Sequence, residues 1–219
     1  MRDHRLFSLS PSRQRRYFHI GNGIKEATMA LAVERRTAEK QADALYAPLL
    51  DGNPSHPNGW PIRVIVASQT EARHNRALWA PSHLISIRAP GTKLLSMIEL
   101  PAERHLELLF GDVTDPDEPE AARADAIERA FGFIDSLPED AHLLVHCLRG
   151  IGRSTALTLG ILARYMEPEE AAAALHGLRP EAKPNRHVTG LCDTVLGLKG
   201  RLAKQALRFP AKVWKPAKS

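Results

Sequence analysis

The chain of 219 residues holds two cysteines, Cys147 and Cys192. Cys147 closes an apolar run in the stretch LLVHCLRGIGRST, residues 143–155, and is followed by Gly150, Gly152 and Arg153 before the sequence turns apolar again. AHLLVHC (141–147) has the length and composition of a buried strand, and STALTLGILARYM (154–166) reads as a helix too apolar to face water. The residues between them, Leu148, Arg149, Gly150, Ile151, Gly152 and Arg153, therefore form a tight strand-to-helix loop. The first N–H groups of a helix have no partner within it and point into such a loop, where they and the helix dipole favour an anion. Gly150 and Gly152 tolerate positive φ and let further N–H groups converge. Arg153 supplies a fork of donors that matches two oxygens of one anion. A thiol at the rim of this site is suited to react as the negatively charged sulfur, which is the nucleophile. The chemistry implied is attack by sulfur on the central atom of a bound tetrahedral oxyanion.

Elements of two kinds must hold this loop. IRVIVAS (62–68), HLISI (83–87), RHLELLFGD (104–112) and the run ending at Cys147 read as strands. TEARHNRALW (70–79), PEAARADAIERAFGFIDSL (119–137), the run after Arg153, and stretches near 167–178 and 187–207 read as helices. The alternation predicts an α/β domain with a mostly parallel central sheet flanked by helices. Upstream, apolar residues from Ile24 to Leu49 recur at three- and four-residue spacing and predict a helical N-terminal extension, which either packs on its own domain or forms a dimer seam. DGNPSHPNGWP (51–61) is dense in Gly, Pro and Asn and marks a linker.

Composition bounds the function. A hydrophobic fraction of 43% and a charged fraction of 25% are those of an ordinary globular protein. No run approaches the ~18 apolar residues of a membrane span. The first residues are basic but lack the apolar segment of a secretory signal, and Asp3 argues against an organelle presequence. Two cysteines make no disulfide framework, so a reduced, cytoplasmic protein is expected. The net charge of +5 is unevenly spread: from Lys199 onward there are seven Lys/Arg and no acid. That end reads as solvated; no basic patch interleaved with aromatics points to nucleic acid.

The run His146-Cys147-Leu148-Arg149-Gly150-Ile151-Gly152-Arg153-Ser154 resembles the H-C-x-x-G-x-x-R-S/T signature of the cysteine-dependent protein tyrosine and dual-specificity phosphatases. The resemblance implies a phosphatase domain over 61–205, with an extension at 1–60 and a basic tail at 206–219. It implies a cysteinyl-phosphate on Cys147, formed and then hydrolysed by water while Arg153 and the N–H groups of 148–153 hold the phosphate oxygens. Ser154 donates to the departing sulfur. No metal or cofactor is called for, and the partner is a phosphorylated protein or another phosphomonoester. His146, which alone would suggest a Cys–His dyad, packs beneath the loop in this family and supports it. Arg149 either reads further negative charge on the substrate or points into solvent. Pro184-Asn185 matches a Pro-Asn of the dual-specificity branch and either braces the loop or caps the next helix. Cys192 reads as a small core residue.

Cleavage of a phosphate ester needs an acid to protonate the leaving oxygen. The family keeps an Asp some thirty residues before its cysteine, and FGDVTDPDEP offers Asp112, Asp115 and Asp117, which lie 35, 32 and 30 residues before Cys147. Asp112 follows a strand directly, and the Asp-Val-x-x-Pro that it begins resembles the acid loop of bacterial members. Asp117 fits the dual-specificity spacing better, and Asp115 precedes Pro116 and shapes a turn. Two departures stand out. The Trp-Pro-Asp of the large tyrosine phosphatases is replaced by Phe110-Gly111-Asp112, and Gly152 stands where the dual-specificity branch usually has Ser. Two other readings remain, a rhodanese-like sulfurtransferase and an inactive module that only binds phosphate groups.

Overall fold

The computed structural model describes residues 63–92, 100–138 and 140–209. The expected N-terminal helix, the linker and most of the basic tail lie outside the described residues.

The strands are β1 (Arg63–Ser68), β2 (His83–Arg88), β3 (His105–Leu109) and β4 (His142–Cys147). They form one parallel sheet in the order β1-β4-β2-β3. Each of the three strands on the β1 side is buried on both faces, the pattern of a sheet covered above and below. Val64, Val66, Ile85, Ile87, Leu143, Val145 and Cys147 join one helical core. The alternate residues Ile65, Ala67, Leu84, Ser86, Leu144 and His146 are buried on the opposite face.

The helices are α1 (Gln69–Trp79), α2 (Ala124–Asp135), α3 (Arg153–Leu162), α4 (Pro168–Leu178), α5 (Arg186–Val195) and α6 (Arg201–Ala206). Helix α1 packs on β1 and β4, and α3 packs on the same two strands and against α2, α4 and α5. Every residue of α3 is buried, as its composition requires; each of its Leu side chains contributes about 1.5–3 kcal/mol through burial. A Cβ at Gly160 would stand 2.5 Å from the Cys192 sulfur, so the glycine lets α3 and α5 approach closely. Cys192 is a core residue, and burial pushes its thiol up to about 12. Among the described residues, no helix is long and apolar enough to cross a membrane.

Several boundaries differ from the sequence reading. Strand β3 ends at Leu109, which is 52% exposed, and the chain then turns as Gly111 N–H donates to Glu120 O at 2.6 Å. Helix α2 begins at Ala124, because the segment before it is held in turns such as Ala121 N–H to Glu118 O. The stretch 187–207 is two helices rather than one. Gly197 and Gly200 adopt φ of 65° and 85° between them, and the Asp193 carboxylate accepts the N–H groups of Gly200, Leu202 and Ala203 to start α6.

Candidate active site

Strand β4 runs between β1 and β2, so the loop after it sits at the carboxyl end of the sheet, where open α/β sheets place their ligands. The loop is stitched to its surroundings by backbone on both sides. Toward β1, Gln69 N–H donates to Leu148 O at 3.3 Å. Gly150 has φ of 69°, and a Cβ there would stand 2.3 Å from Ser68 N, so only glycine fits. Toward α5, Lys183 N–H donates to Ile151 O at 2.9 Å and Asn185 N–H to Gly152 O at 3.2 Å. Gly152 is the residue before α3, which opens at Arg153, one residue earlier than expected. The side chains of Leu148 and Arg149 are exposed, and Ile151 is half-buried.

The Cys147 residue is 1% exposed and ends β4 beside Ser68 of β1. Its sulfur lies 3.2 Å from Ser154 Oγ and 3.2 Å from Gly150 N, which donates to it. Arg153 is 5% exposed; Nη1 donates to Phe110 O at 2.8 Å, and Nε is buried with no hydrogen-bond partner. A buried guanidinium N–H costs free energy when left unpaired, and an oxyanion in the loop would satisfy it.

Of the three candidate acids, Asp112 is the one brought to the loop. Asn185 Nδ2 donates to Asp112 Oδ1 at 2.9 Å and to Val113 O at 3.0 Å, while Asn185 Oδ1 accepts Val188 N–H at 3.1 Å. One buried side chain thus caps α5 and also braces the segment of Asp112. A Cβ at residue 152 would stand 2.6 Å from Asp112 Oδ2, so the missing side chain of Gly152 makes room for the carboxylate. Asp115 and Asp117 are exposed, and Asp115 Oδ1 accepts Asp117 N–H to close a turn of their own.

His146 cannot serve the sulfur as a base, because neighbouring strand residues point to opposite faces. Its Nε2 lies 2.7 Å from Ser86 Oγ, and the same hydroxyl lies 2.8 Å from His105 Nε2. A hydroxyl holds one proton, so it donates to one ring and accepts from the other. Burial, joined by the charge of His105, lowers the His146 pKa to about 4; the Cys147 backbone pulls the other way, although Nδ1 makes no full hydrogen bond. His146 is therefore neutral at pH 7. Sequence reasoning missed Ser86, His105 and the Phe110 carbonyl. Ser86 had a signal: it is the one hydroxyl within the apolar run HLISI.

No family model matches the sequence, and no curated protein matches it. Solved structures are similar in backbone. Cydia pomonella PTP-2 phosphatase is 20% identical, with a TM-score of 0.48, over 60% of this chain and 84% of its own. The human tyrosine phosphatase-like serine/threonine/tyrosine-interacting protein is 21% identical, with a TM-score of 0.49, over 62% and 92%. The Yvh1 phosphatase domain from Chaetomium thermophilum is 18% identical, with a TM-score of 0.47, over 64% and 93%. At these identities the likeness is one of fold.

Proposed function

We propose that the chain is a phosphomonoester hydrolase that works through a cysteinyl-phosphate, with the chemistry of the protein tyrosine and dual-specificity phosphatases. The observation that carries this reading is the Cys147 sulfur held 3.2 Å from both the Gly150 N–H and the Ser154 hydroxyl, in a loop whose Arg153 keeps a buried, unpaired Nε. In the first step the sulfur attacks phosphorus, the P–O ester bond breaks, and the leaving oxygen takes the proton of Asp112. In the second step water attacks phosphorus, Asp112 takes its proton, and the S–P bond breaks with the sulfur eased away by Ser154. Arg153 and the N–H groups of residues 148–153 hold the equatorial oxygens through both steps. Asn185 keeps Asp112 in place, and His146 supports the strand end from the far face.

The test is turnover of p-nitrophenyl phosphate by the full chain. Wild type should release phosphate, and Cys147→Ser should retain less than about a tenth of that activity while still binding tungstate, because the cradle survives and only the nucleophile weakens. Sulfur transfer from thiosulfate without phosphate release would replace this reading with a sulfurtransferase. Tungstate binding without turnover by wild type would replace it with a phosphate-binding module.

A further inference from the structure

A cleft of about 490 Å³ opens beside the loop, between it and the carboxyl end of α6. Arg149 lines it from the loop, Lys183 from the segment bonded to Ile151, and Arg186 from the first turn of α5. Ala206 and Phe209 form an apolar wall, and Asp112 is the single acid in the lining. All three cations are exposed, and none has an ion pair or a side-chain hydrogen bond among the described residues. Elsewhere among the described residues, Arg88, Arg164, Arg179 and Arg201 are each paired with a carboxylate.

Three unpaired cations around one concave space repel one another, and a compact anion relieves them all at once. The backbone that carries Lys183 and Arg186 is fixed beside the loop, because Lys183 N–H and Asn185 N–H are bonded to Ile151 O and Gly152 O. An anion in the cleft thus lies next to a phosphate bound in the loop. The volume lies in the range of small-ligand sites. Asp112, the acid of the proposed first step, lines the same space.

We infer that the preferred substrates are small phosphomonoesters with a second phosphate group, the first phosphate lying in the 148–153 loop and the second in the cleft of Arg149, Lys183 and Arg186. The inference rests on the proposed hydrolase reading and names its substrate class.

The experiment compares fructose 6-phosphate with fructose 1,6-bisphosphate, which differ in the second phosphate alone. Wild type should favour the bisphosphate by about tenfold or more in kcat/KM, the size expected of charge-assisted hydrogen bonds. The double variant Lys183→Ala/Arg186→Ala should lose that preference and keep its rate on p-nitrophenyl phosphate within about twofold. No preference in wild type, or a preference kept by the variant, overturns the inference. So does a doubly phosphorylated peptide that shows the Lys183/Arg186-dependent advantage when the bisphosphate does not. If p-nitrophenyl phosphate is not turned over at all, the hydrolase reading has failed. Calorimetric binding of fructose 1,6-bisphosphate to Cys147→Ser, with and without the two alanines, then decides the cleft alone: tighter binding with the cations present supports it, and equal binding overturns it.

Discussion

Asp112 and Gly152 act on each other across a distance too short for a side chain at residue 152. In the proposed mechanism Asp112→Asn removes the proton donor, and kcat on p-nitrophenyl phosphate should fall by ~10²–10⁴ with the acidic-to-neutral part of the pH profile flattened. Asp115→Asn and Asp117→Asn should each cost less than about tenfold. Gly152→Ala tests the contact from the other side. Its methyl group meets the movable end of Asp112, so the chain should fold while the carboxylate is pushed away. The double variant Gly152→Ala/Asp112→Asn should then be no slower than Asp112→Asn alone, since both changes remove one interaction. Multiplying losses would mean that Gly152 serves the loop and not the acid. At this scale the placement was legible in sequence: thiol, glycines and arginine sit together in nine residues, and one strand-to-helix loop brings them together. Of what joins the loop from a distance, Asp112 and Asn185 stood out in the sequence and the acceptor of Arg153 did not. The Phe110 carbonyl is backbone, and backbone acceptors leave no mark on residue type.

At the scale of elements, the loop leans on the junction of β1 and α1. Glu71 holds that junction. Its carboxylate accepts Ser68 N–H at 2.7 Å while the Ser68 hydroxyl accepts Glu71 N–H at 3.1 Å, a reciprocal cap at the start of α1. The same carboxylate takes two donors of Arg179, just past α4, at 2.8 and 2.9 Å. Burial raises its pKa, but the bonds from Arg179 and Ser68 outweigh this and lower it to about 2. A carboxylate with a depressed folded pKa adds stability that is present above its unfolded value and is lost as pH falls toward the folded one. Glu71→Gln should therefore lower Tm by a few degrees at neutral pH, with the deficit shrinking as pH drops below about 4.5. A deficit equal at pH 7 and about pH 3.5 would show that packing, and not the charge, is what matters. The cap was written locally, as Ser and Glu three apart before a helical run. The Arg179 pair lies 108 residues away in sequence, and no local pattern announces it. The break at 197–200 was missed because apolar periodicity continues through it, and Gly197 with Gly200 outweighs the period.

For the whole molecule, the alternation of strands and helices was enough to foresee a parallel, covered sheet, but not its order. β1, β2 and β4 are mostly apolar and buried on both faces, and nothing in three such similar runs says which lies between the others. The order decides a property of the entire fold. Placing β2 between β4 and β3 sets Ser86 beside His146 and within reach of His105, and the sheet buries this polar chain on one face. Burial also lowers the pKa of His105, against the pull of Glu107, and that of His83, where burial and Arg104 outweigh Asp140. All three rings thus refuse a proton that the unfolded chain accepts near pH 6.5. The sign follows: below that pH the unfolded state binds more protons, so stability falls as pH falls. His146, fully buried and held near 4, contributes most, and its part of the loss between pH 7 and pH 5 is about 2 kcal/mol. Urea unfolding of the full chain at those two pH values should show a drop of at least that size. His146→Gln keeps a donor and an acceptor for Ser86 but cannot titrate, so its drop should be smaller by about the same amount, even if the variant is less stable overall. Equal drops in the two proteins would mean that His146 is charged in the fold, and that the sheet does not exclude protons from the strand that carries Cys147.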